Sequence, residues 1–122
     1  MESHIVSSTQ TINIFQTSAG AEIFQIPVEV FPEFWGFVYL VWVDEAVDGQ
    51  GKSQYRVLID TGSGFGDCNQ HLENGLQAVS EHTGRSIHLS DLTHVFITHG
   101  HIDHFGGLSY VRSRTPARIG VH

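Results

Sequence analysis

Directly after the apolar run Val95-Phe96-Ile97, the chain sets His99, His101, Asp103 and His104 within six positions. The β-branched and aromatic residues read as a short strand over 95–98, so the residues behind it leave a sheet edge as a turn. His99 and His101, two apart, then point the same way, while Asp103 and His104 enter the next helix. Neutral imidazole and carboxylate are the ligands that zinc and its neighbours take. The cluster therefore reads as a metal site built on the end of a strand. The chain holds nine histidines, and the isolated ones, His4, His71, His82 and His88, read as surface or hydrogen-bonded residues.

The rest of the sequence predicts an α/β chain of a single domain, 1–122. Residues 1–17 are polar and β-branched, with Ile12 and Ile14 as anchors, and read either as a first strand or as a loosely ordered segment. Ile23, Ile26, Val28 and Val30 mark an extended stretch that stops at Pro32. A second strand over 34–43 is dense in aromatic and β-branched residues, which predicts burial on both faces. Asp48-Gly49-Gln50-Gly51-Lys52 reads as a turn into a third strand over 55–60. Gly62-Ser63-Gly64-Phe65-Gly66 lacks the Gly-Lys-Ser/Thr ending of a phosphate loop, so its glycines read as a tight turn beside the metal site. Asp67 and Gln70 have the spacing of a capping box. Cys68, Leu72, Leu76 and Val79 follow at helical spacing, up to a helix end near Gly84. A turn at Ser90-Asp91-Leu92, the strand before the histidines, a helix over 104–114 closed by Pro116, and a strand over 117–122 complete the chain. Phe31, Pro32, Phe34 and Trp35 read as core residues without a site role.

Six basic residues stand against thirteen acidic ones, a formal charge of −7, which leaves no basic face for a phosphate backbone. Nucleic acid is therefore excluded as a partner, and Arg112, Arg114 and Arg118 read as complements to a helix C-terminus. Cys68, the one cysteine, permits no intrachain disulfide and reads as a buried apolar residue. The N-terminus lacks the basic and apolar regions of a signal peptide. The longest apolar stretch, 34–43, is interrupted by Gly36 and falls short of the ~20 residues of a membrane helix. The expectations are a small-molecule substrate, no membrane contact and a cytoplasmic location.

His99-Gly100-His101-Ile102-Asp103-His104, between a strand and the pair Gly106-Gly107, resembles position by position the H-x-H-x-D-H signature of the metallo-β-lactamase-fold hydrolases. Val57-Leu58-Ile59-Asp60-Thr61-Gly62 is similar to that family's strand ending in an Asp-x-Gly turn, in matching order and separation. The resemblance implies half of an αββα sandwich, a mixed sheet with helices on one face and the metal site at a sheet edge. It also implies roles. His99 and His101 would bind one metal ion, Asp103 and His104 a second, and Asp103 would handle a proton as a catalytic residue. Asp60 would stand behind the ligands and fix an imidazole through its N–H.

The implied cofactor is zinc, as one or two ions, though iron or manganese also serve this ligand set. His101 stands where the family's redox branch has an acidic residue, which favours hydrolysis over electron transfer. The family domain is longer and draws its remaining ligands from its second half, and His122 follows the motif too closely to match them. The final strand lacks a cap or polar tail and reads as the end of a truncated chain. The expectation is a metal-dependent hydrolase of small ester, thioester or lactone substrates, with little activity as this chain alone. The second reading is a non-catalytic half-domain that binds metal or self-associates. Half a sandwich would leave an apolar sheet face open, which predicts a homodimer that covers it.

Overall fold

The computed structural model describes residues 2–6, 10–47 and 51–121. Seven strands form one sheet in chain order: β1 (Glu2–Val6), β2 (Thr11–Gln16), β3 (Glu22–Phe31), β4 (Phe34–Val47), β5 (Gly51–Ile59), β6 (His94–Ile97) and β7 (Arg118–Val121). Strands β1 to β5 pair antiparallel, whereas β5, β6 and β7 pair parallel. Parallel neighbours need a crossover between them. The first crossover is α1 (Cys68–Thr83), and the second carries the short helices α2 (Ile102–Phe105) and α3 (Leu108–Arg112).

Side-chain alternation sorts the sheet into two faces. Ile14, Phe24, Leu40, Leu58, Val95 and Ile119 stand in one row across the register. They join Ile26, Val28 and Val38 in a core closed by Leu72, Leu76 and Val79 of α1 and Val111 of α3. Each such side chain stabilises the fold by about 1.5–3 kcal/mol through burial. The expected mixed sheet with helices on one face is thus present. On the opposite face, Phe15, Ile23, Val41 and Val57 form one row, and Gln25, Tyr39, Ile59 and Phe96 the next. Phe37 and Phe96 are both 46% exposed there.

That face corrects the expectation that β4 is buried on both sides. Its even positions Val38, Leu40 and Trp42 are buried, but Phe37 is exposed because the helices lie on the other side, and Trp35, near the hairpin tip, is still 45% exposed with its ring stacked on His71 of α1. Phe34, read as a core residue, is 70% exposed at the hairpin tip. Elsewhere Glu2–Val6 and Thr11–Gln16 form two paired strands rather than a loose arm. Strand β5 begins at Gly51, so Gly51 and Lys52 belong to a strand, and Asp48, Gly49 and Gln50 lie outside the described residues, as does His122.

Helix α1 ends as its sequence predicts, with Gly84 in the left-handed conformation (φ 71°). Its start differs. Asp67 has φ −91° and ψ 9°, outside the extended region a capping residue needs, and makes no side-chain cap bond. Gln70 donates instead to Asn74 Oδ1 at 2.8 Å. The single helix expected over 104–114 is broken into α2 and α3 at Gly106-Gly107. At the opposite end of the sheet, the Arg56 and Arg85 guanidinium groups lie 5.2 and 4.5 Å from the centre of the Trp42 ring.

Helices α1 and α3 are tied by the Tyr110 hydroxyl, which donates to Glu73. That hydrogen bond, aided by partial desolvation and the Glu73 charge, raises the Tyr110 pKa above 10.0, although the nearby Arg114 opposes the shift. The neutral phenol is the form that folding favours, so its contribution is present below the ordinary tyrosine pKa and fades as pH rises through the raised one. Ultraviolet titration should show one tyrosine ionising later than the rest, and Glu73→Gln should bring it back. Three coincident tyrosine titrations in the unaltered chain would refute this.

Candidate metal centre

Parallel pairing sets Ile59 of β5 opposite Phe96 of β6, so both strands end at the same edge and deliver their next residues side by side. Asp60 follows β5, and Thr98 and His99 follow β6. Asp60 is buried and adopts a left-handed backbone (φ 66°), which aspartate tolerates better than most residues. Its N–H donates to the Phe96 carbonyl at 2.8 Å, which locks the turn to β6.

Both carboxylate oxygens of Asp60 are engaged. Oδ1 accepts the Thr98 N–H at 2.8 Å. Oδ2 accepts the Thr98 hydroxyl at 2.7 Å and stands 2.8 Å from His104 Nδ1. A carboxylate only accepts, so His104 carries a proton on Nδ1, and in the neutral ring Nε2 keeps a free lone pair. The same logic passes through Thr98. Its hydroxyl proton is committed to Asp60, so the contact at 2.9 Å between Thr98 Oγ1 and His99 Nδ1 places a proton on His99 Nδ1 as well. One buried aspartate therefore sets the tautomers of two neutral histidines, each with Nε2 left unprotonated.

Of the side chains singled out in sequence, the structure gathers Asp60, His99 and His104, with ligand atoms of all three within 4.8 Å of one another. The His99 and His104 rings lie 4.6 Å apart between centroids, and those of His99 and His101 lie 6.2 Å apart. Asp103 Oδ2 stands 3.5 Å from His104 Nε2. Two donors each about 2.1 Å from one tetrahedral ion would lie about 3.4 Å apart, so this pair fits a shared metal. Asp60 could in principle be a ligand too, but its oxygens already serve three protein donors. The residue that sequence reasoning passed over is Thr98, taken only as the end of a strand. Its position immediately before His99 was the available signal.

The loop behind Asp60 is seated against α2. Thr61 N–H donates to the His104 carbonyl at 2.9 Å, and Gly107 N–H to the Gly62 carbonyl at 3.0 Å. A Cβ on Gly106 would lie 2.1 Å from the Ser63 carbonyl oxygen, and one on Gly107 would lie 2.6 Å from that of Thr61. Backbone meets backbone at these two glycines, which is why the helix breaks there.

A family model described as the metallo-beta-lactamase superfamily matches residues 36–122, well over half of the chain. The chain belongs to the metallo-β-lactamase superfamily. Solved structures agree at the level of fold. The chemotaxis sensor ODP, described as a peroxy diiron species, matches with a TM-score of 0.54 and 17% identity over 87% of this chain and 36% of its own. MEM-A1, a subclass B3 metallo-β-lactamase from a soil metagenome library, matches with a TM-score of 0.52 and 18% identity over 80% and 28%. A single-site mutant of a flavo di-iron protein from Thermotoga maritima matches with a TM-score of 0.51 and 15% identity over 94% and 27%. This superfamily member thus spans between 27% and 36% of the length of these structures and shares part of their α/β sandwich. No curated protein matches its sequence. Among the described residues, no helix is long and apolar enough to cross a membrane.

Proposed function

We propose that the chain contributes the first half of a metal-dependent hydrolase site for small ester, thioester or lactone substrates. The observation that carries this reading is the Asp60 network, which engages Nδ1 of both His99 and His104 and so leaves Nε2 of each neutral ring available to a metal. A carboxylate held behind a ligand imidazole is the arrangement metal sites use to fix ring orientation. His99 and His101 would hold one ion, and Asp103 and His104 the other, with zinc as the first choice for three imidazoles and a carboxylate. A metal bound there supplies Lewis acidity and a water acidic enough to attack at neutral pH. Asp103, adjacent to His104 Nε2 and part-exposed, can receive a proton from the attacking water and return it to the leaving group.

Each pair of ligands leaves an ion short of the three protein ligands typical of a catalytic zinc. The 122-residue chain alone should therefore bind zinc weakly and turn over substrate slowly. The open sheet face, with Phe37 and Phe96 half-exposed, suits a second copy as its cover. Native mass spectrometry reads subunit number and bound zinc together, and a panel of thioesters and lactones reads activity. A zinc-loaded species whose slow hydrolysis disappears in His101→Ala supports the proposal. Zinc uptake that His101→Ala and His104→Ala leave unchanged would refute the ligand assignment, and hydrolysis that His101→Ala leaves unchanged would refute the reaction.

A further inference from the structure

The tip of the β3–β4 hairpin and the loop after β5 border an open cavity of about 430 Å³, lined by Glu29, Phe31, Pro32, Phe65, Gly66 and Asp67 and by none of the candidate metal ligands. That volume is in the range of small-molecule pockets. The Phe31 and Phe65 rings meet 5.9 Å apart between centroids, tilted by 31°. Phe65 is 53% exposed. The faces of such rings carry the negative part of the aromatic quadrupole.

The charge on the walls has one sign. Glu29 and Asp67 are the charged lining residues, and the lining holds no lysine, arginine or histidine among the described residues. Among those residues, ion pairs engage Glu22, Asp60 and Asp103 rather than these two. Asp67 opens α1 but makes no capping bond, so its carboxylate is not spent on the helix. Glu29 Oε2 accepts the Glu33 N–H at 3.2 Å, which orients the carboxylate without neutralising it.

Both walls are held in place before any ligand arrives. His71 Nδ1 accepts the Glu29 N–H at 3.1 Å, and the Trp35 ring stacks on that imidazole at 4.8 Å. On the other side, the Ser63 hydroxyl donates to the Val30 carbonyl and its Oγ accepts the Phe65 N–H at 3.1 Å. A pocket already formed loses less on binding. We propose that this cavity is a binding site for a small organic cation, a substituted ammonium group set against the Phe31 and Phe65 rings and neutralised by Glu29 and Asp67. Rings and carboxylates together recognise such groups, whereas an apolar pocket alone would not discriminate charge.

Calorimetric titration of the 122-residue chain with choline and with its uncharged isostere 3,3-dimethylbutanol tests the assignment. Choline should bind about tenfold more tightly than the alcohol. Phe65→Leu, Asp67→Asn and Glu29→Gln should each weaken choline binding several-fold, with circular dichroism unchanged. His101→Ala should have no effect, with or without added zinc, which separates this site from the metal centre. Equal affinity for both ligands would reduce the cavity to an apolar pocket, and binding of neither would remove the site. Loss of choline binding in His101→Ala would place the ligand at the metal centre instead. Each of these three outcomes overturns the proposal.

Discussion

Replacing Asp60 with asparagine should lower zinc affinity by about 10- to 100-fold. The substitution changes little else in shape, since asparagine is nearly isosteric and also tolerates the left-handed backbone found at Asp60 (φ 66°). Its chemistry is the point. The amide oxygen can still accept the Thr98 N–H in place of Oδ1, but an NH₂ group then faces the Thr98 hydroxyl and His104 Nδ1. Donor would meet donor at both contacts. His104 relieves the clash by moving its proton to Nε2, which then cannot ligate, and the Thr98 hydroxyl turns away and frees His99 from its fixed tautomer. Loss of hydrogen bonds to a buried charge should also destabilise the apo chain by about 1.5–3 kcal/mol. Competition with a chromophoric chelator reads the zinc term, and thermal melts read the stability term. Unchanged zinc affinity in Asp60→Asn would show that Asp60 does not orient the ligands.

Gly106→Ala should cost about 3 kcal/mol, the upper end for overpacking. Local propensity argues the other way, because Gly106 has an ordinary helical backbone (φ −57°) and alanine is about 1 kcal/mol better there. Sterics decides. The added Cβ would lie 2.1 Å from the Ser63 carbonyl oxygen and 2.6 Å from that of Ile102, and neither atom can rotate aside as a side chain can. Relief requires the Asp60 loop and α2 to move apart, which also strains the bond between Thr61 N–H and the His104 carbonyl. Stability and metal uptake should therefore fall together. Gly100→Ala is the control, since a Cβ there meets nothing within 4 Å. The melting temperature of Gly106→Ala should drop by more than ~10 °C, while that of Gly100→Ala stays close to the parent. Equal melting temperatures would mean that the loop and α2 are not in close contact.

Much of the fold was readable locally. Ile23, Ile26, Val28 and Val30 predicted β3, and Cys68, Leu72, Leu76 and Val79 with Gly84 predicted α1, because periodicity and chain-ending residues act over a few positions. The misreadings share a cause. The Asp67 and Gln70 spacing fits a capping box, yet the tight turn through Gly62, Gly64 and Gly66, all at positive φ, delivers Asp67 in the wrong backbone conformation. Phe34 and Trp35 look like core residues, yet they stand at the tip of the β3–β4 hairpin, where Phe34 is 70% exposed and Trp35 is covered on one ring face alone, by His71 of α1. The helix over 104–114 breaks because a separate loop, some forty positions earlier, presses its carbonyls against Gly106 and Gly107. No window of sequence contains both partners of that contact.

The sequence by itself determined the candidate ligand types, their spacing and their place after a strand, because His99, His101, Asp103 and His104 are neighbours along one short segment. Tertiary structure alone decided how the His99 and His104 rings are held. Parallel pairing of β5 with β6 brings Asp60 to Thr98 and His104, residues 38 and 44 positions away, and their hydrogen bonds select the tautomers. The proton on an imidazole depends on what faces each nitrogen, and here that partner comes from the neighbouring strand.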